Sequence, residues 1–253
     1  MAKQLLIYET AVPLNAARHG DVCFDATGAN YAFSAGVNAV PLMAVELLRA
    51  ANEYAVVFTA AGDDVLPAAV LGIQGEQNLY LSADAQWQAK YIPAFIRRYP
   101  FVFSTSADGK TLTLCIDETH PGVNREGRGQ ALFGTDRKPS EFTGNVLKFL
   151  QDYQAQFERT RLFGKRLKEL DLLTPMQATV TTPAGEKIKF GGFSIVSRER
   201  LRALDAEALA SLARTDELEL VYLHLHSMQN FNDVKDRLVG SLQAAGLAAA
   251  EAS

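Results

Sequence analysis

His224-Leu225-His226 is the most conspicuous pair of ligating side chains in the chain. On a strand both imidazoles would face one way, as a two-histidine metal pair does. No acidic third ligand accompanies them at metal spacing, and His19 and His120 fall in turn-rich stretches. One hydrogen-bonded and one exposed histidine is the stronger reading, and no metal is expected. Cys115 sits in an apolar run with Leu112 and Leu114 and has no activating neighbour, so it reads as a buried thiol rather than a nucleophile. Ser104, Ser106 and Ser227 lie in no G-x-S-x-G turn. Gly127-Arg128-Gly129 lacks the third glycine and the strand-to-helix context of a phosphate cradle. Arg97-Arg98 is different. Set among aromatics, two guanidiniums can grip a carboxylate or phosphate bidentately, or pair with an internal acid such as Glu46. The candidate binding residues are Trp87, Tyr91, Arg97, Arg98, His224 and Ser227, with no catalytic residue and no cofactor assigned.

The element that must position most of them is the stretch from Trp87 to Phe103, which holds the only tryptophan and two of the nine prolines. Asp84 is a fair N-cap, and Trp87, Tyr91, Phe95 and Arg98 at i, i+4, i+8 and i+11 would make one aromatic face of a helix. Pro93 should kink or restart that helix and Pro100 should stop it. Upstream, Leu5–Tyr8, Val22–Phe24 and Tyr31–Phe33 read as short strands, and Pro41 opens a helix through Leu48. Strands follow at Tyr54–Phe58, Ala68–Ile73 and Asn78–Leu81. Phe101–Ser106 and Thr111–Asp117 flank an Asp108-Gly109 turn as a hairpin. Residues 118–138 are polar and glycine-rich, a surface loop that together with Arg97 and Arg98 forms the expected contact surface.

Ser140 begins the longest helix, with Phe142, Val146, Phe149, Leu150, Tyr153 and Phe157 along one stripe; Gly164 weakens its middle and Pro175 ends the region. A second hairpin, 178–182 with 187–196, precedes two short helices, the second capped by Asp205. Leu218–Leu225 is apolar enough for either a strand or a buried helix. A polar helix from Asn230 then ends in an alanine-rich tail, 244–253, expected to fray. The expected fold is α+β: a mixed or antiparallel sheet packed against the long amphipathic helix and the Trp/Arg-rich helix. Residues 1–175 form the main domain and 176–243 a smaller lobe.

Composition narrows the function classes. With 253 residues, 48% hydrophobic and 21% charged, the chain can bury a large core. A net charge of −4 without a long basic run argues against nucleic-acid binding. Two cysteines make a disulfide framework improbable. No apolar stretch reaches the ~18–20 residues of a membrane span, and the N-terminus lacks a signal-peptide core, so a soluble, cytoplasmic protein is expected.

Several patches in order resemble the SapC family of bacterial proteins, from about residue 10 to about 240. They are Val40-Pro41-Leu42 with Glu46, Leu71-Gly72-Ile73 before Asn78-Leu79, and Trp87…Tyr91-Ile92-Pro93…Arg97-Arg98-Tyr99-Pro100-Phe101. Leu132-Phe133 and Tyr222…His224-Leu225 with Ser227 and Asn230 complete the pattern. Tyr54-Ala55 departs from the family's Tyr-Pro, and His226 is extra. The resemblance implies an association with a surface layer or cell envelope, an accessory role beside halogenase-like, cupin-like and outer-membrane-receptor genes, and no transferable catalytic residue. A non-enzymatic interaction protein with a protein partner or self-association is the leading expectation. The alternative is an enzyme or binder of a small anionic ligand, with its pocket beside Trp87, Arg98 and His224.

Overall fold

The computed structural model describes residues 6–27, 30–106, 108–181, 185 and 187–251, with side chains in the last helix described to residue 244. Eleven strands are found among them: β1 (Ala11–Pro13), β2 (Cys23–Phe24), β3 (Ala39–Pro41), β4 (Val56–Ala61), β5 (Asp64–Val70), β6 (Phe101–Thr105), β7 (Leu112–Asp117), β8 (Val123–Asn124), β9 (Gln130–Ala131), β10 (Leu173–Thr181) and β11 (Lys187–Val196). The helices are α1 (Ala16–His19), α2 (Leu47–Ala50), α3 (Ala94–Arg97), α4 (Glu141–Glu169), α5 (Arg198–Ala203), α6 (Ala206–Arg214), α7 (Glu217–Ser227) and α8 (Phe231–Glu251). Every strand pairing is antiparallel. The fold is α+β, as the sequence implied.

The central sheet runs β10-β11-β4-β5-β3, so the second hairpin shares a sheet with the first half of the chain through Ser194 opposite Phe58. Val56-Val57-Phe58 is a β-branched and aromatic run, buried throughout, as a central strand requires. β4 and β5 meet across Gly62-Asp63, and Gly62 takes the positive φ of +65° that a two-residue hairpin turn demands. Pro41 ends β3, an edge strand, where a missing N–H costs nothing. Two smaller sheets, β1-β7-β6 and β8-β2-β9, stand beside the central one.

Helix α4 crosses β5. The Ser140 hydroxyl caps it by accepting from the Thr143 N–H at 3.2 Å. Gly164 is the point of crossing: a Cβ there would run into the Val65 carbonyl oxygen. The glycine that looked like a weak spot therefore sets how closely helix and sheet approach. Phe163 and Leu167, buried on either side of it, pack against Phe58, Leu212 and Val221 in one core cluster. Each such side chain contributes roughly 1.5–3 kcal/mol.

Several expectations need correction. The Trp/Arg-rich helix is a single turn, α3, because the backbone before it is engaged elsewhere. Gln88 N–H donates to Tyr80 O at 2.7 Å, Lys90 and Tyr91 N–H both donate to the Glu53 carboxylate, and Pro93 is extended at ψ 142°. Trp87 instead bridges Leu81 in antiparallel fashion. Tyr31–Phe33 is mostly a 3-10 turn over Ala32–Ser34, and Asn78–Leu81 keeps only that one bridge residue. Leu6 and Ile7 form a turn, and Leu5 lies outside the described residues. Pro41 closes a strand, a 3-10 turn (Ala44–Glu46) and α2 follow, and Pro175 lies inside β10. Leu218–Leu225 is helical, within α7. The alanine-rich tail continues α8 to Glu251, in line with alanine's helix propensity; Ala252 and Ser253 lie outside the described residues, as do Ala107, Pro183 and Ala184 of the two hairpin turns.

Candidate functional site

Glu46 anchors the region. Its carboxylate is buried at 4% exposure and accepts three hydrogen bonds: Tyr91 O–H and Ala94 N–H on Oε1, Met43 N–H on Oε2, each at 2.7 Å. It therefore ties the turn before α2 to the start of α3. Burial and the adjacent Glu46 push the Tyr91 phenol well above its usual range, so it stays a donor. Thr160 of α4 closes the third side, accepting the Ala44 N–H at 2.8 Å and donating to Gln156 O at 2.6 Å.

From this frame α3 projects two arginines in different directions. Arg97 is exposed; its Nε donates to Ile92 O at 2.9 Å and its guanidinium lies over Tyr91 and Phe149, 5.8 and 5.4 Å from their centroids. Arg98 is only 6% exposed. Its guanidinium sits 4.3 Å from the Phe95 centroid, 4.9 Å from Tyr153 and 5.7 Å from Tyr8. Desolvated contacts of this kind stabilise the cation by about 2 kcal/mol. Burial raises both phenols, Tyr153 to about 12, so the rings stay uncharged around the cation. Arg98 is thus no part of a surface, contrary to the expectation that joined it with Arg97 and residues 118–138.

Arg98, Phe95, Tyr153 and Phe157 form one end of a cavity of about 370 Å3. The rest of its lining includes β3, Leu66 and Ala68 of β5, Leu6, and the polar Asn38 and Thr59. The volume lies within the ~300–1,000 Å3 range of small-molecule sites, and the combination of apolar walls with one convergent charge is the pattern of such sites.

The remaining candidates belong elsewhere. Trp87 donates from Nε1 to the Tyr54 hydroxyl at 2.8 Å, and that hydroxyl donates in turn to Tyr91 O. The ring meets Tyr31 edge-on at 5.6 Å, which is a packing role. His224 is fully buried at the junction of α7, β4 and β11. Its Nε2 accepts Val196 N–H at 3.0 Å, which leaves the proton on Nδ1 to donate to Val56 O at 3.0 Å. Burial pushes its pKa down to about 4. The Ser227 hydroxyl accepts Val56 N–H at 3.1 Å and donates to His224 O at 2.6 Å. Both side chains hold backbone to backbone. His226, two positions on in a helix, is exposed and cannot face the same way.

The 118–138 segment is also better tied down than a free loop. β8 and β9 flank β2, and Gly129, at φ +80°, lets β9 approach where a Cβ would strike the Phe24 carbonyl. Strand pairing accounts for the G-x-G. Cys115 is buried, with its thiol pKa raised by desolvation, and both cysteines are free.

The SapC family model matches residues 14–234. The chain belongs to the SapC family. No curated protein and no solved structure gives a significant match. Among the described residues, no helix of this SapC chain is long and apolar enough to cross a membrane. Sequence reasoning named Arg98 but missed Tyr153 and Tyr8 as its partners. Tyr153 was visible as the hydroxyl-bearing member of the α4 stripe, whereas nothing in the chain's first residues marks Tyr8.

Proposed function

We propose that this SapC-family protein is a non-enzymatic binding protein whose α4 cavity takes a small molecule with an apolar body and one acidic head group. The observation that carries the reading is the Arg98 guanidinium, buried among three rings in the wall of a mostly apolar cavity. A guanidinium is the side chain best suited to meet a carboxylate, with several N–H donors in a fixed plane. Binding is favoured over catalysis because His224 and Ser227, the acid–base and hydroxyl candidates, are engaged by backbone groups.

The test is calorimetric titration with straight-chain and aryl monocarboxylates, each paired with its alcohol. The acid should bind at least ten times more tightly than the alcohol, and Arg98→Met should erase the difference. Equal affinity for acid and alcohol, or no binding by any acid, contradicts the proposal.

A second reading follows the family's association with the surface layer and cell envelope, in which the protein works through a protein partner or self-association. Val45 and Leu48, at 57% and 61% exposure and three residues apart on one helical stretch, support it as an outward apolar pair. Sedimentation over a range of concentrations, with Leu48→Asp as control, tests it: assembly lost in the variant supports this reading, and a concentration-independent monomer contradicts self-association.

A further inference from the structure

A second cavity, of about 270 Å3, lies on the other side of Tyr153. Unlike the first, its lining is charge-separated. Phe149, Asp152, Tyr153 and Gln156 are three or four residues apart on α4 and so share one face, while Glu46 stands across from them. The Oε1 of Gln156 is buried and has no hydrogen-bond partner among the described residues. A buried carbonyl left in that state is unfavourable, and a donor from a ligand would supply the missing bond. Glu46 accepts three hydrogen bonds and a carboxylate can accept about four, so it has room for one more. The same cavity holds Arg49 and Arg97, both exposed, and the ring of Tyr91. Two carboxylates and an amide oxygen thus share a small aromatic-walled space with two guanidiniums.

An anion alone would be repelled by Glu46 and Asp152, and a cation alone by the arginines. We propose that this cavity binds a small zwitterion of the α-amino acid class. The ammonium donates to Gln156 Oε1, Glu46 and Asp152; the carboxylate is met by Arg97 and Arg49; an apolar side chain lies along the rings. This site does not depend on the Arg98 cavity.

The experiment is a thermal-unfolding screen of the whole protein against the twenty free amino acids at millimolar concentration. Titration then follows with the best binder, its decarboxylated amine and its N-acetyl derivative. The expected result is one or a few amino acids that bind, with both analogues at least tenfold weaker. Gln156→Leu and Asp152→Asn should each weaken binding at least tenfold. Asp152 is exposed, so its variant should fold even if Gln156→Leu does not. Silence across all twenty, an analogue that binds as well as the parent, or unchanged affinity in Asp152→Asn overturns the proposal.

Discussion

At the α7–β4–β11 junction, His224 is held uncharged by burial, and both ring nitrogens are matched to backbone groups of neighbouring strands. At the end of the α4 cavity, Arg98 is a permanent cation held against rings and next to open volume. Both are basic side chains in the interior. The first is fixed by directional bonds to backbone groups, which its removal would leave without the ring. The second is held against rings and forms part of a cavity wall. Burial alone therefore does not separate a strut from a site; adjoining open volume does.

The contrast can be broken most severely at His224. Replacing it with alanine strands Val56 O and Val196 N and opens a cavity, for an expected loss of about 3–5 kcal/mol in chemical denaturation. Affinity for an acidic ligand in the α4 cavity should not change. The same residue gives a pH signature. Its folded pKa of about 4 lies below the ordinary 6.5, so between these values the unfolded chain binds the proton and the folded one does not. Stability should hold above pH 6.5 and fall toward pH 4, by on the order of 3 kcal/mol from this group. His224→Gln should flatten that part of the profile relative to wild type.

Arg98→Met should act in the opposite column. Acid binding should weaken by at least 30-fold, equivalent to about 2 kcal/mol, while unfolding stability falls by about 2 kcal/mol as the cation–ring contacts are lost, less than in His224→Ala. Tyr91→Phe removes one of three donors to the Glu46 carboxylate and should cost about 1.5 kcal/mol of stability. Trp87→Phe, which loses a 2.8 Å bond to Tyr54 but keeps a ring against Tyr31, should cost the least, about 1 kcal/mol.

The long helix was legible because its stripe repeats over four turns and Ser140 marks its start. The 101–117 hairpin and residues 178–196 of the second were legible through alternation and glycine turns, whereas Pro175 hid the first residues of β10. The Trp87 segment was not. Its spacing satisfies a helix, yet Glu53, distant in sequence, takes the N–H groups of Lys90 and Tyr91, and no local pattern encodes that. Arg98 could be named from its company of aromatics, but its burial depends on Tyr8 and Tyr153, 90 and 55 residues away. His224 and Ser227 looked like chemistry because a short apolar run fits strand or helix equally. Once the run is helical, the two lie three apart on one buried face and bond to β4.

The most direct test compares the thermal shift given by one binding monocarboxylate in wild type, His224→Gln and Arg98→Met. The expected result is a lower melting temperature in both variants, with a wild-type shift in His224→Gln and no shift in Arg98→Met. A full shift in Arg98→Met, or its loss in His224→Gln, would contradict the assignment of one basic residue to the frame and the other to the site.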